Sequence, residues 1–293
     1  MELIITEDNP KILGVYSYDN YKVEYSPLCK NNRCIIFFSG NGLYYPDTIE
    51  CFNETIVEND RYEWNTVGHA DVILKKYSMI IYVRDVFKSW YEKGISVKCN
   101  TIDKVIELLR EICDGYEIVT CGNSAGGYMA CIVGNELHAE LIFDFGGQWC
   151  PECRFRDENK DNIVVNKYYD ITRYATNRVL YFFSAKAQYD LVQLEFVLEC
   201  QSENGMRILP IDSTQHGYLL WNVCYQYILS LDKCELDKII SIFEGKIIKQ
   251  AKYAKKLLPF REYVIAYSKY VISCHKSFQI ISEVMHIDWK SAY

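Results

Sequence analysis

Residues Tyr116–Gly127, YEIVTCGNSAGG, join a short apolar run to a glycine-rich turn that contains a G-x-S-x-G pentapeptide. The composition of residues 118–120 predicts a strand, and the apolar residues after Gly127 predict a buried helix. A sharp strand-to-helix turn lifts a serine hydroxyl clear of the sheet, where a base can take its proton. The motif therefore predicts a nucleophile elbow at Ser124. The alternative is a tight turn in which Ser124 only caps the helix.

A carboxylate and a histidine follow the serine in the chain order that this architecture imposes. The apolar run Arg178–Ser184 predicts a buried strand, and Asp190 lies in the loop predicted after it. A second short run, Met206–Pro210, precedes a polar loop that contains His216. We therefore predict a site that combines Ser124, Asp190 and His216.

Other residues compete for two of these three positions. Asp144, Asp212 and Glu195 are the alternative acids, and Asp190 itself could serve only as a helix cap. His216 is the best placed of the 5 histidines, although a structural loop histidine is the alternative. The remaining histidines lie before the elbow, soon after it or near the C-terminus: His69, His138, His275 and His286.

The chain resembles the α/β-hydrolase superfamily through GNSAGG at the elbow, VLYFFSAKAQYD before the acid and STQHG at the histidine. The resemblance covers roughly residues 10–230. It implies Ser124 as nucleophile, His216 as general base and then acid, and Asp190 as the group that orients the imidazole. It also implies an oxyanion hole in which the backbone amide of Ala125 is one donor.

The second oxyanion donor of such folds comes from the loop after an earlier strand, often in a His-Gly-Gly sequence. Here Cys34–Ser39 predicts that strand, and the glycines of the following loop have no histidine before them. Asn41 or Gly42 is the candidate donor. The alternative is an ordinary Asn-Gly turn.

Apolar runs of strand length alternate with helical periodicity along most of the chain. Thr101–Cys113 has apolar residues at helical spacing, and the runs at 33–39, 78–83 and 139–145 predict further strands. Strands that are apolar without alternation, separated by helices, favour a mostly parallel sheet with helices on both faces. The predicted fold class is therefore α/β, and the resemblance implies an α/β-hydrolase fold in particular. At the start of the chain, Leu13–Tyr25 predicts a β-hairpin.

The predicted core spans residues 1–234 and contains a lid-like insertion at about 147–177, and a C-terminal extension follows the core. The polar stretch 147–177 predicts a lid over the site, with a solvated surface loop as the alternative. Residues 235–293 predict a helical extension, in which Cys234–Leu258 is one long amphipathic helix ended by Pro259. This helix would pack on the core or form a homodimer, and an anionic membrane surface is the less favoured partner. The candidate substrate-binding residues are Tyr44, Asn123 and Trp149.

Composition restricts the partners and the compartment. The net charge of -7 argues against nucleic-acid binding, which needs a concentrated positive field. The absence of a secretory signal or of about 18 consecutive apolar residues predicts a cytoplasmic protein without a membrane span. The 13 cysteines are then expected to be reduced thiols. Cys150 and Cys153 form a C-x-x-C motif without a second half, so we expect no metal and no cofactor, and redox sensing is the alternative.

These residues predict a serine hydrolase acting through an acyl-enzyme, most simply an esterase or deacetylase on a small or carbohydrate-linked ester. The alternative within enzymes is an O-acyltransferase, since the chain is similar in general character to the esterases and acyltransferases of bacterial surface polysaccharides. The alternative outside enzymes is a noncatalytic hydrolase-fold protein that recruits a partner through its C-terminal helices.

Overall fold

The fold is built on one seven-stranded sheet, seen in a computed structural model that describes residues 5–150, 167–217 and 219–270. The strands are β1 Tyr21–Tyr25, β2 Arg33–Phe38, β3 Met79–Val83, β4 Glu117–Asn123, β5 Leu141–Phe145, β6 Val179–Ser184 and β7 Arg207–Ile211. Their order across the sheet is β1-β3-β2-β4-β5-β6-β7. β1 runs antiparallel to β3, and every other neighbouring pair is parallel.

Helices connect and cover the strands. In chain order they are α1 Pro10–Tyr16, α2 Ile49–Phe52, α3 Asn65–Gly68, α4 Asp71–Lys76, α5 Ile102–Ile112, α6 Ala125–Glu136, α7 Gln188–Asn204, α8 Asn222–Ser230, α9 Lys233–Phe243 and α10 Gln250–Leu257. Residues 260–270 are also helical. Short irregular helical turns lie at Asn41–Leu43, Asn53–Glu58 and Thr172–Tyr174. In the described ranges, no helix combines the length and the apolar character that a membrane crossing requires.

Both faces of the sheet are buried, as β2 illustrates. Its residues Ile36 and Phe38 face a core that also contains side chains of α5 and α6. Ile35 and Phe37, which point the other way because successive strand residues alternate, face a core with side chains of α4, α8 and α10. The predicted parallel sheet between two helical layers is therefore confirmed.

The opening hairpin predicted for Leu13–Tyr25 is wrong. Residues from Pro10 onward form α1, which has a proline near its start. Asn9 caps this helix, because its side chain accepts a hydrogen bond from Lys11 N at 3.0 Å. A proline at this position costs no hydrogen bond, because the first turn of a helix has no internal acceptor for its N–H. β1 then pairs with β3, which lies more than fifty residues along the chain.

The single long helix predicted for Cys234–Leu258 is also wrong. It is divided into α9 and α10 by Gly245, whose φ of +66° suits glycine, and by an extended segment at Ile248. Ile248 N donates to Pro210 O at 3.2 Å and Ile248 O accepts from Asp212 N at 2.9 Å, so this segment covers the outer edge of β7. Both helices contribute buried side chains to the core on the sheet face that holds Ile35.

Asp144 is a buried carboxylate in the middle of this fold. It lies in β5, is 0 % exposed, and accepts hydrogen bonds from Trp149 Nε1 at 2.8 Å and from Gly147 N at 2.6 Å. Its Oδ1 also lies 2.3 Å from the place where a side chain on Gly127 would begin, so this glycine lets α6 approach β5. Burial raises the pKa of Asp144 to about 7, although these hydrogen bonds oppose the shift.

Two glycines inside helices allow a matched test of packing, since neither has a positive φ. A methyl group at Gly14 in α1 meets nothing within 4 Å, so Gly14→Ala should raise the free energy of unfolding by about 0.5–1 kcal/mol. A methyl group at Gly134 in α6 begins 2.5 Å from Thr120 Oγ1 and 2.6 Å from Ile142 Cγ1, so Gly134→Ala should lower it by about 1–3 kcal/mol. Urea denaturation measures both, and equal effects would contradict this packing.

Asp144→Asn should change how stability depends on pH. The pKa of Asp144 is raised above the value of about 4 in an unfolded chain, so its contribution to stability is fully present below about pH 4 and is lost as the pH rises through about 7. Between about pH 5 and pH 8 the wild type should therefore lose about 2–3 kcal/mol of unfolding free energy relative to Asp144→Asn.

Urea titrations at several pH values measure this difference, and the exposed Asp114→Asn variant is the control, expected to follow the wild type at each pH. A gap between wild type and Asp144→Asn that stays constant with pH would contradict the account.

Candidate active site

Ser124 lies in a strained turn between β4, which ends at Asn123, and α6, which begins at Ala125. Its φ of 55° and ψ of -120° are unfavourable for a residue with a side chain. The backbones around it are in close contact: a side chain on Gly122 would begin 2.0 Å from Gly126 O, and one on Gly126 would begin 2.2 Å from Phe38 O. The turn therefore requires both glycines, and it leaves the Ser124 side chain partly exposed.

The structure brings the three predicted side chains into one hydrogen-bonded chain. His216 Nε2 lies 2.9 Å from Ser124 Oγ, and His216 Nδ1 lies 2.5 Å from Asp190 Oδ1. The tautomer with its proton on Nδ1 suits both contacts, because an ionised carboxylate can only accept and the Ser124 hydroxyl can then donate to Nε2. The imidazole can thus take the serine proton while Asp190 stabilises the resulting cation.

Asp190 is held from the side opposite His216. Its Oδ2 accepts from the backbone N–H of Ser184, the last residue of β6, at 2.7 Å, and the side chain is fully buried. It lies in the first turn of α7, rather than in the loop that the sequence predicted, and the positive end of that helix favours its charge. The end of a strand and the start of a helix therefore fix the carboxylate together.

The alternative acids bond elsewhere. Asp144 bonds to Trp149 and Gly147, Asp212 pairs with Lys186 at 2.5 Å, and Glu195 is exposed on α7. Of the other histidines, His69 contacts Glu24 at 2.7 Å and His138 follows the end of α6. His275 and His286 lie outside the described residues.

Neighbouring groups restrict the position of the imidazole ring. A side chain on Gly146, which has a φ of +68°, would begin 3.4 Å from His216 Cε1. Tyr189 packs edge-on against the ring, with centroids 5.0 Å apart. The phenol oxygen of Tyr189 accepts a hydrogen bond from Gln148 Nε2, and Gln148 Oε1 accepts from Trp90 Nε1. This aromatic and amide row, which the sequence analysis missed, forms one wall beside His216.

The predicted oxyanion donors lie on two adjoining segments. Ala125 is the first residue of α6, where backbone N–H groups lack partners within the helix. Asn41 and Gly42 begin the short helical turn Asn41–Leu43, which directly follows Gly40. A side chain on Gly40 would begin 2.4 Å from Asn123 O and 3.4 Å from Ser124 Cβ, so this loop lies directly against the elbow.

Glu63 is a second residue that sequence reasoning missed. Its Oε2 accepts from the backbone N–H of Gly40 at 2.5 Å, and its Oε1 accepts from Asn123 Nδ2 at 3.5 Å. Burial raises the pKa of Glu63, while the hydrogen bonds from Gly40 and Asn123 act in the opposite direction. No sequence motif marks this glutamate, because it approaches the elbow only through the folding of the long connection between β2 and β3.

Two of the three candidate substrate-binding side chains are largely inaccessible. Tyr44 is 2 % exposed and donates from its hydroxyl to Val86 O at 2.9 Å, although its edge lines a cavity of about 450 Å³ with Asn41 and Lys88. Trp149 is 0 % exposed and donates to Asp144. Asn123 is partly exposed and lies directly before Ser124.

About half of the predicted lid at 147–177 lies outside the described residues, which exclude 151–166 and therefore Cys153. Its described ends pack on the core. Cys150 is buried, and its backbone N–H donates to Gln193 Oε1 at 2.8 Å. Tyr168 donates from its hydroxyl to Asp103 Oδ1 at 2.6 Å, which ties the far end of the segment to the start of α5.

Comparisons with known proteins give structural neighbours only. The chain matches no family model and no curated protein. It is similar to a capsule O-acetyltransferase of Neisseria meningitidis serogroup A, with 12% identity, 66% of this chain and 82% of that chain covered, and a TM-score of 0.42. An esterase/lipase from an uncultured bacterium gives 11% identity, 68% and 77% coverage and a TM-score of 0.41. The esterase domain of a Rhodothermus marinus protein gives 9% identity, 75% and 92% coverage and a TM-score of 0.44.

The architecture rests on this chain's own topology. One edge strand is antiparallel, the remaining strands are parallel in the order β3-β2-β4-β5-β6-β7, and the nucleophile-type turn joins the central strand β4 to α6. Asp190 follows β6 and His216 follows β7, the chain positions that this architecture gives to a carboxylate and a histidine. The chain has the α/β-hydrolase fold.

Proposed function

We propose that this protein is a serine hydrolase that cleaves carboxylic esters through an acyl-enzyme. The observation that carries the proposal is the hydrogen-bonded chain from Ser124 Oγ through His216 to the buried Asp190. A serine hydroxyl becomes an effective nucleophile only when a base accepts its proton, and this arrangement supplies the base and its orienting carboxylate.

The reaction follows from the positions of these groups. Ser124 Oγ attacks the acyl carbonyl carbon as His216 Nε2 takes the hydroxyl proton. The carbonyl oxygen gains a negative charge, for which the backbone N–H groups of Ala125 and of Asn41 or Gly42 are the proposed donors. The intermediate then expels the alcohol, which takes the proton from His216 and leaves an acyl group on Ser124. Water repeats these steps and releases the carboxylic acid.

The substrate is proposed to be a small or carbohydrate-linked ester. The alternative is an O-acyltransferase, in which the hydroxyl of a polysaccharide replaces water in the second half of the reaction. The strained backbone of Ser124 and its bond to His216 disfavour a noncatalytic scaffold, because a scaffold does not need a serine held in an unfavourable conformation. A cytoplasmic location and a homodimer through the C-terminal helices stay predictions.

Ser124→Ala should abolish turnover of short acyl esters, because it removes the atom that forms the acyl-enzyme. We expect kcat for p-nitrophenyl acetate to fall by about 10⁴-fold or more, with an unchanged melting temperature. Ser241→Ala, at an exposed serine of α9, is the matched control and should keep wild-type turnover. Equal turnover in both variants would exclude Ser124 as the nucleophile.

Asp190→Asn should keep the fold but remove the group that fixes the imidazole tautomer. The asparagine oxygen can still accept from Ser184 N, while its NH₂ group would favour the tautomer whose Nε2 carries the proton. We expect kcat to fall by about 10⁴-fold near neutral pH. Asp212→Asn, at the alternative acid, should leave kcat within about twofold of wild type, and the reverse ranking of the two variants would assign the role to Asp212.

A further inference from the structure

We propose that Glu63 is a positioning residue of the oxyanion hole, which holds the loop after β2 against the nucleophile turn. We call residues 39–43 the oxyanion loop. The inference rests on the proposed function, since it assigns Glu63 a role in the reaction at Ser124. It concerns a residue that touches neither the acyl group nor the reacting serine, and that acts through the backbone of its neighbours.

Two consecutive residues bind three consecutive positions at the end of β2. Trp64 Nε1 donates to Phe38 O at 3.0 Å. The backbone N–H of Glu63 lies 3.4 Å from Ser39 Oγ, and the Glu63 carboxylate accepts from Gly40 N at 2.5 Å. The segment Glu63–Trp64 therefore follows the chain as it leaves the sheet and enters the oxyanion loop.

The same carboxylate reaches the other side of the site. Glu63 Oε1 accepts from Asn123 Nδ2, and Asn123 directly precedes Ser124. Glu63 thus links Gly40 on the oxyanion loop with Asn123 on the nucleophile turn. The two segments already touch, because a side chain on Gly40 would begin 2.4 Å from Asn123 O.

The position of Gly40 determines where the candidate donors lie. Leu43 N donates to Gly40 O at 3.1 Å, which closes the turn Asn41–Leu43, and the fully buried Leu43 side chain anchors its far end. The backbone N–H groups of Asn41 and Gly42 lie between these two fixed points. A shift of Gly40 would therefore carry both amides away from the oxygen that develops charge, and such misplacement is costly in the transition state.

In this proposal Glu63 acts through its hydrogen bonds to Gly40 and Asn123 rather than through its charge. The charge of Arg61 acts to lower the pKa of Glu63, but none of the salt bridges in the described ranges includes Glu63, and a negative charge near a developing oxyanion opposes catalysis. Asn123 Oδ1 is buried and has no hydrogen-bond partner within the described part of the chain. A glutamine at position 63 could accept from Gly40 N and, after rotation of the Asn123 amide, donate to Asn123 Oδ1.

The test compares Glu63→Ala and Glu63→Gln by ester kinetics with p-nitrophenyl acetate. Glu63→Ala should lower kcat by about 10–100-fold, less than the loss of an oxyanion donor itself, and should change KM by less than about threefold. Glu63→Gln should keep kcat within about threefold of wild type. Glu58→Ala, at an exposed glutamate before the same segment, is the matched control and should behave as wild type.

Hydrogen exchange provides a readout that does not depend on turnover. Amides of residues 39–43 should exchange about tenfold faster in Glu63→Ala than in wild type, and no faster in Glu63→Gln. If Glu63→Ala does not fold, Glu63→Asp keeps the charge but shortens the side chain, and it should lower kcat while it speeds exchange in the same residues.

The possible results separate this inference from the proposed function. If the wild type cleaves acyl esters and the Ala or Asp variant shows unchanged kcat and unchanged hydrogen exchange, the role of Glu63 is overturned while the proposed function stands. An equal loss of kcat in Glu63→Gln and Glu63→Ala would also overturn the role of Glu63, because the charge would then be the important feature. A wild-type protein without activity towards acyl esters would overturn the proposed function, and this inference with it.

Discussion

The close backbone contact at the turn around Ser124 is the constraint on which the rest of the structure depends. Gly122 touches Gly126, and Gly126 touches the carbonyl of Phe38 at the end of β2, at distances that no side chain would allow. This contact joins β2, β4 and α6 at one point. One contact therefore fixes the conformation of Ser124, the start of α6 and the point where the oxyanion loop leaves β2. None of these three segments can move without losing its contact with the other two.

Because most strands are parallel, the segments that carry Ser124, Asp190 and His216 meet at one edge of the sheet. The loops after β2, β4, β6 and β7 all leave from the same edge of the sheet, since the strands run in the same direction. Ser124 and His216 meet there although they are 92 residues apart in the chain, and Asp190 joins them across a further separation of 26 residues from His216. The glutamate at position 63 reaches the same edge from the connection between β2 and β3.

The buried parallel strands and the triad candidates could be predicted because their signals are local. A buried parallel strand is a short apolar run, and the loop after it is polar, so Ser124, Asp190 and His216 could be placed by their positions after strands. Exposure could not be predicted in the same way. Tyr44 and Trp149 follow strands as well, yet each finds a buried acceptor for its polar hydrogen, Val86 O and Asp144, and packs into the core.

Long-range contacts account for the other differences. The opening hairpin fails because β1 pairs with β3, a distant strand, while Pro10 and Asn9 favour a helix locally. The helix predicted at Cys234–Leu258 is interrupted because the backbone at Ile248 bonds to Pro210 and Asp212, an interaction that helical periodicity does not reveal. Glu63 has no motif of its own, since its hydrogen bonds reach Gly40 and Asn123 on two other segments.

The most direct test of the central claim is to treat the protein with a fluorophosphonate and locate the adduct by peptide mass mapping. Such reagents react covalently with a serine whose proton is taken by a neighbouring base. We expect one adduct, on Ser124, and no adduct in Ser124→Ala. An unmodified wild-type protein, or an adduct on another residue that persists in Ser124→Ala, would contradict it.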